Sequence, residues 1–188
     1  MWALVESGSV CKIYSRPTQI KINDINYPSN IFMLWSSSEL KAIGIYEIVI
    51  DNTNLKDKKY YINTNQSFNF ASDTVTASYG TATAKAIADV TDDDGNVTKG
   101  LKSIKKENLN AEAGGILQST DWMVIREADG GTAMPSNIKT WRASVRTKAN
   151  DMCTQIDNAA DVDALAALYV YNNATPPVRP LGEFPELS

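Results

Sequence analysis

The spacing of apolar residues changes once along this chain, near Leu101, and that change limits the folds open to it. Before it, apolar and polar residues alternate in short runs broken by turn residues, the mark of half-buried strands. After it, apolar residues recur every three or four positions, the mark of amphipathic helices. The expected fold class is α+β. A β-rich N-terminal module of hairpins plus one short helix spans 1–98, a small helical module spans 101–172, and an extended Pro-rich tail covers 173–188. The turn between Asp92 and Gly100 is the natural boundary, and the 188 residues read as two small modules rather than one core.

In the first half, Trp2–Val5, Ser7-Gly8-Ser9 and Val10–Tyr14 spell an opening hairpin. Ile20 and Ile22 share one face of a strand that Asn23-Asp24-Ile25-Asn26 turns back toward Tyr27-Pro28. Helix signals then cluster. Ser36 with Glu39 three residues on forms a capping box, Trp35 and Leu40 sit at hydrophobic-staple spacing, and Gly44 supplies a left-handed stop. The expected helix is Ser37–Ile43. Strands are expected over 45–50, 59–63, 67–71 and 74–79, while 81–91 fits a strand or a weak helix. Asp92-Asp93-Asp94-Gly95-Asn96 is a turn, since Asp-Gly favours a tight hairpin.

In the second half, Leu101, Ile104, Leu109, Ala113, Ile116 and Leu117 fit one helix face, with Gly114-Gly115 weakening the last turn. Thr120 or Asp121 can cap a short helix over 122–127 that Asp129-Gly130-Gly131 ends. A longer helix starts near Pro135 or Ser136, with Ile138, Trp141, Val145, Ala149, Met152 and Ile156 inward. Asp161 can cap a further helix with Val162, Leu165 and Leu168 inward. Pro176-Pro177-Val178-Arg179-Pro180 cannot be helical.

Composition narrows function. The chain has no histidine, which removes Ser-His-Asp and Cys-His mechanisms and imidazole-bound zinc. Cys11 and Cys153 alone cannot build a structural zinc site or an iron–sulfur cluster. A net charge of −4 argues against a nucleic-acid binder, whose affinity comes from neutralising phosphates. Met1–Glu6 has neither the basic nor the apolar region of a signal peptide, so synthesis in a cytoplasm with both thiols reduced is expected. No apolar run approaches the ~20 residues of a membrane span.

Each candidate site has a simpler structural reading. An EF-hand register with its glycine at Gly95 would begin at Val90 and close at Leu101, neither of which ligates calcium through its side chain. Asp92, Asp93, Asp94, Glu127 and Asp129 could supply a carboxylate pair, but nothing in the spacing brings two to working distance. Gly130-Gly131 belongs to no phosphate loop. Trp2, Trp35, Trp122 and Trp141 could form a sugar platform, although packing accounts for Trp35 and Trp141. Arg142, Arg146 and Lys148 give one helix a basic side, read as solvated or as facing an acidic partner. No catalytic, cofactor or metal residue is assigned.

One stretch carries a resemblance. Leu117-Gln118-Ser119-Thr120-Asp121-Trp122-Met123-Val124-Ile125-Arg126, then Gly130-Gly131, Met134-Pro135 and Trp141-Arg142-Ala143-Ser144-Val145-Arg146, resembles the bacteriophage tail assembly chaperone family. That family has a leucine–x–x–threonine–aspartate–tryptophan start, a Pro-containing loop, and a helix with an aromatic-Arg pair and a later Arg. Thr120, Asp121, Trp122, Pro135, Trp141, Arg142 and Arg146 fit those positions, Trp141 departing mildly from the commoner Tyr. The likeness covers about 40 to 50 residues. The N-terminal half, at Met1–Val5, Tyr27-Pro28, Ile31-Phe32, Leu34-Trp35 and Glu39–Tyr46, is similar to the start of other phage tail proteins.

The resemblance implies a non-enzymatic virion component of the phage tail. It would be made in the host cytoplasm, present in several copies, and act as a structural or adaptor protein that binds tail-fibre, baseplate or tail-tube subunits. Trp122, Trp141, Arg142, Arg146, Pro176, Pro177, Pro180 and Phe184 are the expected partner-binding residues, and Pro176–Ser188 is expected to contact another chain. In this reading Trp122 and Trp141 pack together while the arginines face outward. No cofactor, nucleic acid or membrane insertion is implied. The alternatives are a transient tail-fibre chaperone, a sugar- or receptor-binding module, and a carboxylate hydrolase.

Overall fold

The structure, a computed structural model, describes residues 1–187. The fold is α+β, β-rich at the N-terminus and helical in the C-terminal part. The chain divides into two compact units, the first ending at Thr83 and the second starting at Ala84.

The N-terminal unit starts as the alternation predicts. Strands β1 (Trp2–Glu6) and β2 (Ser9–Tyr14) form a hairpin across Ser7-Gly8. Strands β3 (Ile20–Ile22) and β4 (Ile25–Tyr27) form another across Asn23-Asp24. All four turn residues have positive φ, the geometry whose twist matches that of paired strands. In β2 the register slips: Leu4 faces Lys12 but Val5 faces Val10, leaving Cys11 as an extra residue. This bulge lets Val10 and Ile13, which strict alternation would put on opposite faces, pack into the same cluster.

Two short helices follow, α1 (Ile31–Leu34) and α2 (Ser37–Ala42). The capping box at α2 is complete: Glu39 N–H donates to Ser36 Oγ (3.3 Å), and Ser36 N–H donates to Glu39 Oε2 (2.7 Å). Trp35 and Leu40 join one apolar cluster, as staple spacing predicts. Gly44 has φ +81°, and a Cβ there would sit 2.9 Å from Val5 O, so no other residue fits without a shift.

The chain continues as β5 (Ile45–Asp51), β6 (Tyr61–Ile62), β7 (Gln66–Ala71) and β8 (Thr74–Tyr79). The main sheet runs β2-β1-β5-β8-β7, antiparallel except where β5 meets β8. Its edges β2 and β7 approach each other, so the sheet curls. Ala3, Ile48, Val75 and Ala77, with Val10, Ile13, Tyr46, Phe68 and Phe70, fill the inside from all five strands. Leu4, Tyr14 and Ile45 on the other face pack with Ile20, Ile22, Ile31, Phe32 and Leu40. Only Tyr61–Ile62 of the strand expected over 59–63 forms, because Tyr60 is drawn into the interior by a turn on Asp57.

The boundary lies earlier than the Asp92–Gly100 turn. Segment 81–91 is neither one strand nor a helix, holding only the short β9 (Thr83–Ala84) and β10 (Val90–Thr91). Strand β10 pairs with β11 (Val97–Thr98), and then α3 (Leu101–Gln118) begins. Gly100, at the N-cap of α3, has no side chain with which to cap it. The free N–H groups of Leu101 and Lys102 donate instead to Ala86 O (2.9 Å) and Ile87 O (3.0 Å). Gly100 N–H donates to Asp89 Oδ1 (2.8 Å), and a Cβ on Gly100 would lie 2.2 Å from Ala88 O. Residues from Ala84 therefore belong with the helices.

Helix α3 runs through Gly114-Gly115 without a break and is followed by α4 (Asp121–Ala128), α5 (Ser136–Asn158) and α6 (Val162–Ala167). Asp161 caps α6, accepting from Ala164 N–H (2.8 Å). The buried residues of α5 are Ile138, Arg142, Val145, Ala149, Met152 and Ile156, in alternating steps of four and three against α3. The tail is not a separate element. Leu181 is fully buried, its N–H donates to Leu168 O (3.0 Å), and Phe184 packs against Ala113, Val145 and Ala149.

Ser36→Ala is expected to lower the unfolding free energy by about 1 kcal/mol in urea denaturation followed by circular dichroism. The Ser36 hydroxyl and N–H hold the Glu39 carboxyl below its usual range. A depressed carboxyl lends stability above its unfolded pKa, about 4.3, and that support disappears as pH falls through the folded value. The Ser36→Ala effect is therefore expected to shrink in acid, and an effect equal at neutral and acid pH would contradict the capping box.

Candidate functional site

The features that set this molecule apart gather where α3 ends, α4 stands and α5 begins. Arg142 lies on the inward seam of α5 and is 5% exposed. Its Nη1 donates to Leu117 O (2.8 Å) and to Thr120 Oγ1, and its Nη2 donates to Asp121 Oδ1 (2.7 Å). Thr120 Oγ1 in turn donates to Leu117 O (2.9 Å). Three features offset the burial of this guanidinium. Leu117 O lies in the last turn of α3, where unpaired carbonyls give partial negative charge. Asp121 opens α4, where a carboxylate is favoured, and supplies the counter-charge. The planar fork also reaches all three acceptors, which an ammonium group could not.

The leucine–x–x–threonine–aspartate–tryptophan stretch thus receives a physical reading. Leu117, Thr120 and Asp121 are held by one arginine, and the next residue, Trp122, points outward at 54% exposure. Thr120 stands at the N-cap of α4 but makes no capping bond, because its hydroxyl serves Arg142 and Leu117.

Helix α4 buries none of its eight residues. Val124 (42%) and Ile125 (63%) are exposed along with Trp122, and Trp122 and Ile125 share a side by their three-residue spacing. The helix is fastened by polar contacts. The Arg126 guanidinium lies 4.9 Å from the Trp122 ring centre, and its Nε donates to Thr132 O (2.9 Å). Gly131 N–H donates to Arg126 O (2.9 Å), which leaves no room for a Cβ on Gly131. Lys139 Nζ bonds Glu127 Oε1 (2.6 Å), holding the Glu127 carboxyl below its usual range. The arrangement offers an apolar surface on a helix fastened at several points.

The structure divides the other expected residues. Arg142 faces inward, not outward, because it falls on the heptad seam of α5. Arg146, one turn on, is exposed. Trp122 and Trp141 do not form a shared core. Trp141 is half-buried, and its Nε1–H donates to Pro185 O (2.9 Å) beside the cluster that takes in Phe184. Pro176, Pro177 and Pro180 are exposed. Trp141 and Phe184 are thus engaged within their own chain, while Pro176, Pro177 and Pro180 stand in solvent. Val124, Ile125 and Arg126 are not among the residues the sequence singles out; their signal is an apolar residue at each of four successive positions, Trp122 to Ile125, too dense for a one-sided helix.

Other features are plainer. The Asp92 carboxylate accepts from Asn96 Nδ2 (3.0 Å at Oδ2), Asn96 N–H (2.8 Å at Oδ1) and Asp94 N–H (3.1 Å at Oδ1); the Asn96 side chain first, then these N–H groups, hold its carboxyl low, so it builds the turn. Asp93 and Asp94 are exposed on that turn. Among the described residues no group of three or more Cys, Asp or Glu could hold a metal ion, and no helix is long and apolar enough to cross a membrane. Exposed Met33 and Leu34 end α1 in the N-terminal unit. Comparison of the chain with protein-family models, curated proteins and solved structures finds no match.

Arg142→Met is expected to lower the unfolding free energy by about 2–3 kcal/mol, since it removes the three bonds of the guanidinium and takes the counter-charge from Asp121, while Thr120 Oγ1 and Leu117 O keep only their bond to each other. Arg146→Met should stay within about 0.5 kcal/mol of the parent. Urea denaturation of both variants checks this, and equal effects would count against the buried fork.

Proposed function

We propose that this chain is a non-enzymatic bacteriophage tail protein, a structural or adaptor subunit that binds other tail subunits in the virion. The observation that carries the reading is α4, a helix with no buried residue whose Trp122, Val124 and Ile125 stand in solvent while Arg142 and Arg126 hold it in place. A lone exposed Leu is ordinary, but three large apolar residues on one fastened helix suit a protein–protein contact, where tryptophan is enriched. The likeness of Leu117–Arg146 to tail assembly chaperones supplies the kind of partner: tail-fibre, baseplate or tail-tube subunits, met in several copies. Nothing in the site suggests a nucleic acid or a cofactor.

A transient chaperone would use the same face and then leave. The sugar-platform reading is weaker, because of four tryptophans only Trp122 is exposed, the other three being half-buried. Quantitative mass spectrometry of purified phage particles separates the first two. Stoichiometric protein in the particle is expected, whereas abundance in the infected-cell lysate and absence from the particle would overturn the structural reading in favour of the chaperone. Trp122→Ser/Ile125→Ser is expected to leave the melting curve nearly unchanged, since neither side chain is buried, and to abolish incorporation into particles.

A further inference from the structure

The C-terminal segment behaves as a ligand that happens to be tethered. Its anchor is short. Leu181 is fully buried, Phe184 packs on Ala113, Val145 and Ala149, Trp141 Nε1–H donates to Pro185 O (2.9 Å), and Arg179 Nη2 bonds Glu183 Oε2 (2.8 Å). The connector before it is exposed from Val170 through Val178. Most of its bonds close on themselves: Asn172 N–H donates to Val178 O (2.9 Å), and the N–H groups of Ala174 and Val178 donate to Asn172 Oδ1, while the Tyr171 hydroxyl donates to Glu183 Oε1 (2.6 Å). The anchor does not fill its groove. Clefts of about 510 and 440 Å³ open along α5, both lined by Ser144 and Pro185, the second also by Thr140 and Glu186.

We propose that this groove is a docking site for the C-terminal segment of a second copy of the chain, so that copies exchange residues Leu181–Pro185. The occupant follows from the contacts. The groove already receives this sequence, and the contacts of Leu181, Phe184 and Pro185 with the helices made within one chain form again between two, while the bonds of the connector open. Exchange of an identical element is a low-cost route to association. Released, the nine exposed connector residues reach up to about 30 Å, enough to bridge neighbouring copies. Tethering gives the segment an effective concentration in the mM range, so it stays on its own chain in dilute solution. It crosses over where copies are crowded. This inference does not depend on the phage tail reading.

The test uses full-length chains carrying Cys11→Ser and Cys153→Ser. One partner adds Thr140→Cys in the groove and the other adds Glu186→Cys on the segment, both exposed and both lining the same cleft. Mixed near mM concentration and oxidised, the pair should give a disulfide-linked heterodimer. The yield should be several-fold above that of a control pairing Thr140→Cys with Pro177→Cys, and it should fall to that level on dilution or when Phe184→Ser removes the anchor. A single chain carrying both Thr140→Cys and Glu186→Cys should close internally when dilute. Heterodimer at only the control yield, while the double variant closes on itself, would overturn the exchange. Failure of the double variant to close would overturn it as well, because the segment would not occupy this groove.

Discussion

A single guanidinium decides how the helical unit presents itself. Arg142 occupies a seam position of α5 where the pattern on either side calls for Ile138, Val145, Ala149, Met152 and Ile156. An unpaired charge there would be strongly destabilising. Its bonds to Leu117, Thr120 and Asp121 offset that burial and fix where α3 stops and α4 starts. Because α4 is held through this fork and through Arg126, it has no need to bury an apolar face. Trp122 and Ile125 are left outward as a consequence, so the exposed surface and the buried charge are two ends of one arrangement.

What the sequence revealed, and what it hid, follows from the range of each interaction. The α2 helix was legible because its signals are local: Ser36, Glu39, Trp35, Leu40 and Gly44 lie within ten positions, and each acts on a neighbour. The hairpins at Ser7-Gly8 and Asn23-Asp24 were legible for the same reason. The bulge at Cys11 was not, since it shows only when β1 is laid beside β2. The cap on α3 was hidden too, because Gly100 carries no side chain and the acceptors come from Ala86 and Ile87 on a preceding segment. That contact moves the boundary from the acidic turn to Thr83.

Arg142 shows the limit most clearly. Counting apolar residues along α5 selects Ile138, Trp141 and Val145 and passes over 142, because the residue type suggests solvent. The structure inverts the pair, with Arg142 on the seam and Trp141 at its margin beside Pro185. A strict alternation of four and three steps would have placed 142 inside regardless of its charge. The tail was misjudged for a similar reason. Pro176, Pro177 and Pro180 exclude a helix, but they carry no information about whether Leu181 and Phe184 find a groove.

Amide hydrogen exchange of the full chain, compared between the parent and Arg142→Met, tests the clamp most directly. If the guanidinium holds α4, protection should fall across 119–128 while the strands of the N-terminal unit keep theirs. Unchanged protection in α4 would mean that the helix stands without Arg142, and the link between the buried charge and the exposed tryptophan would fail.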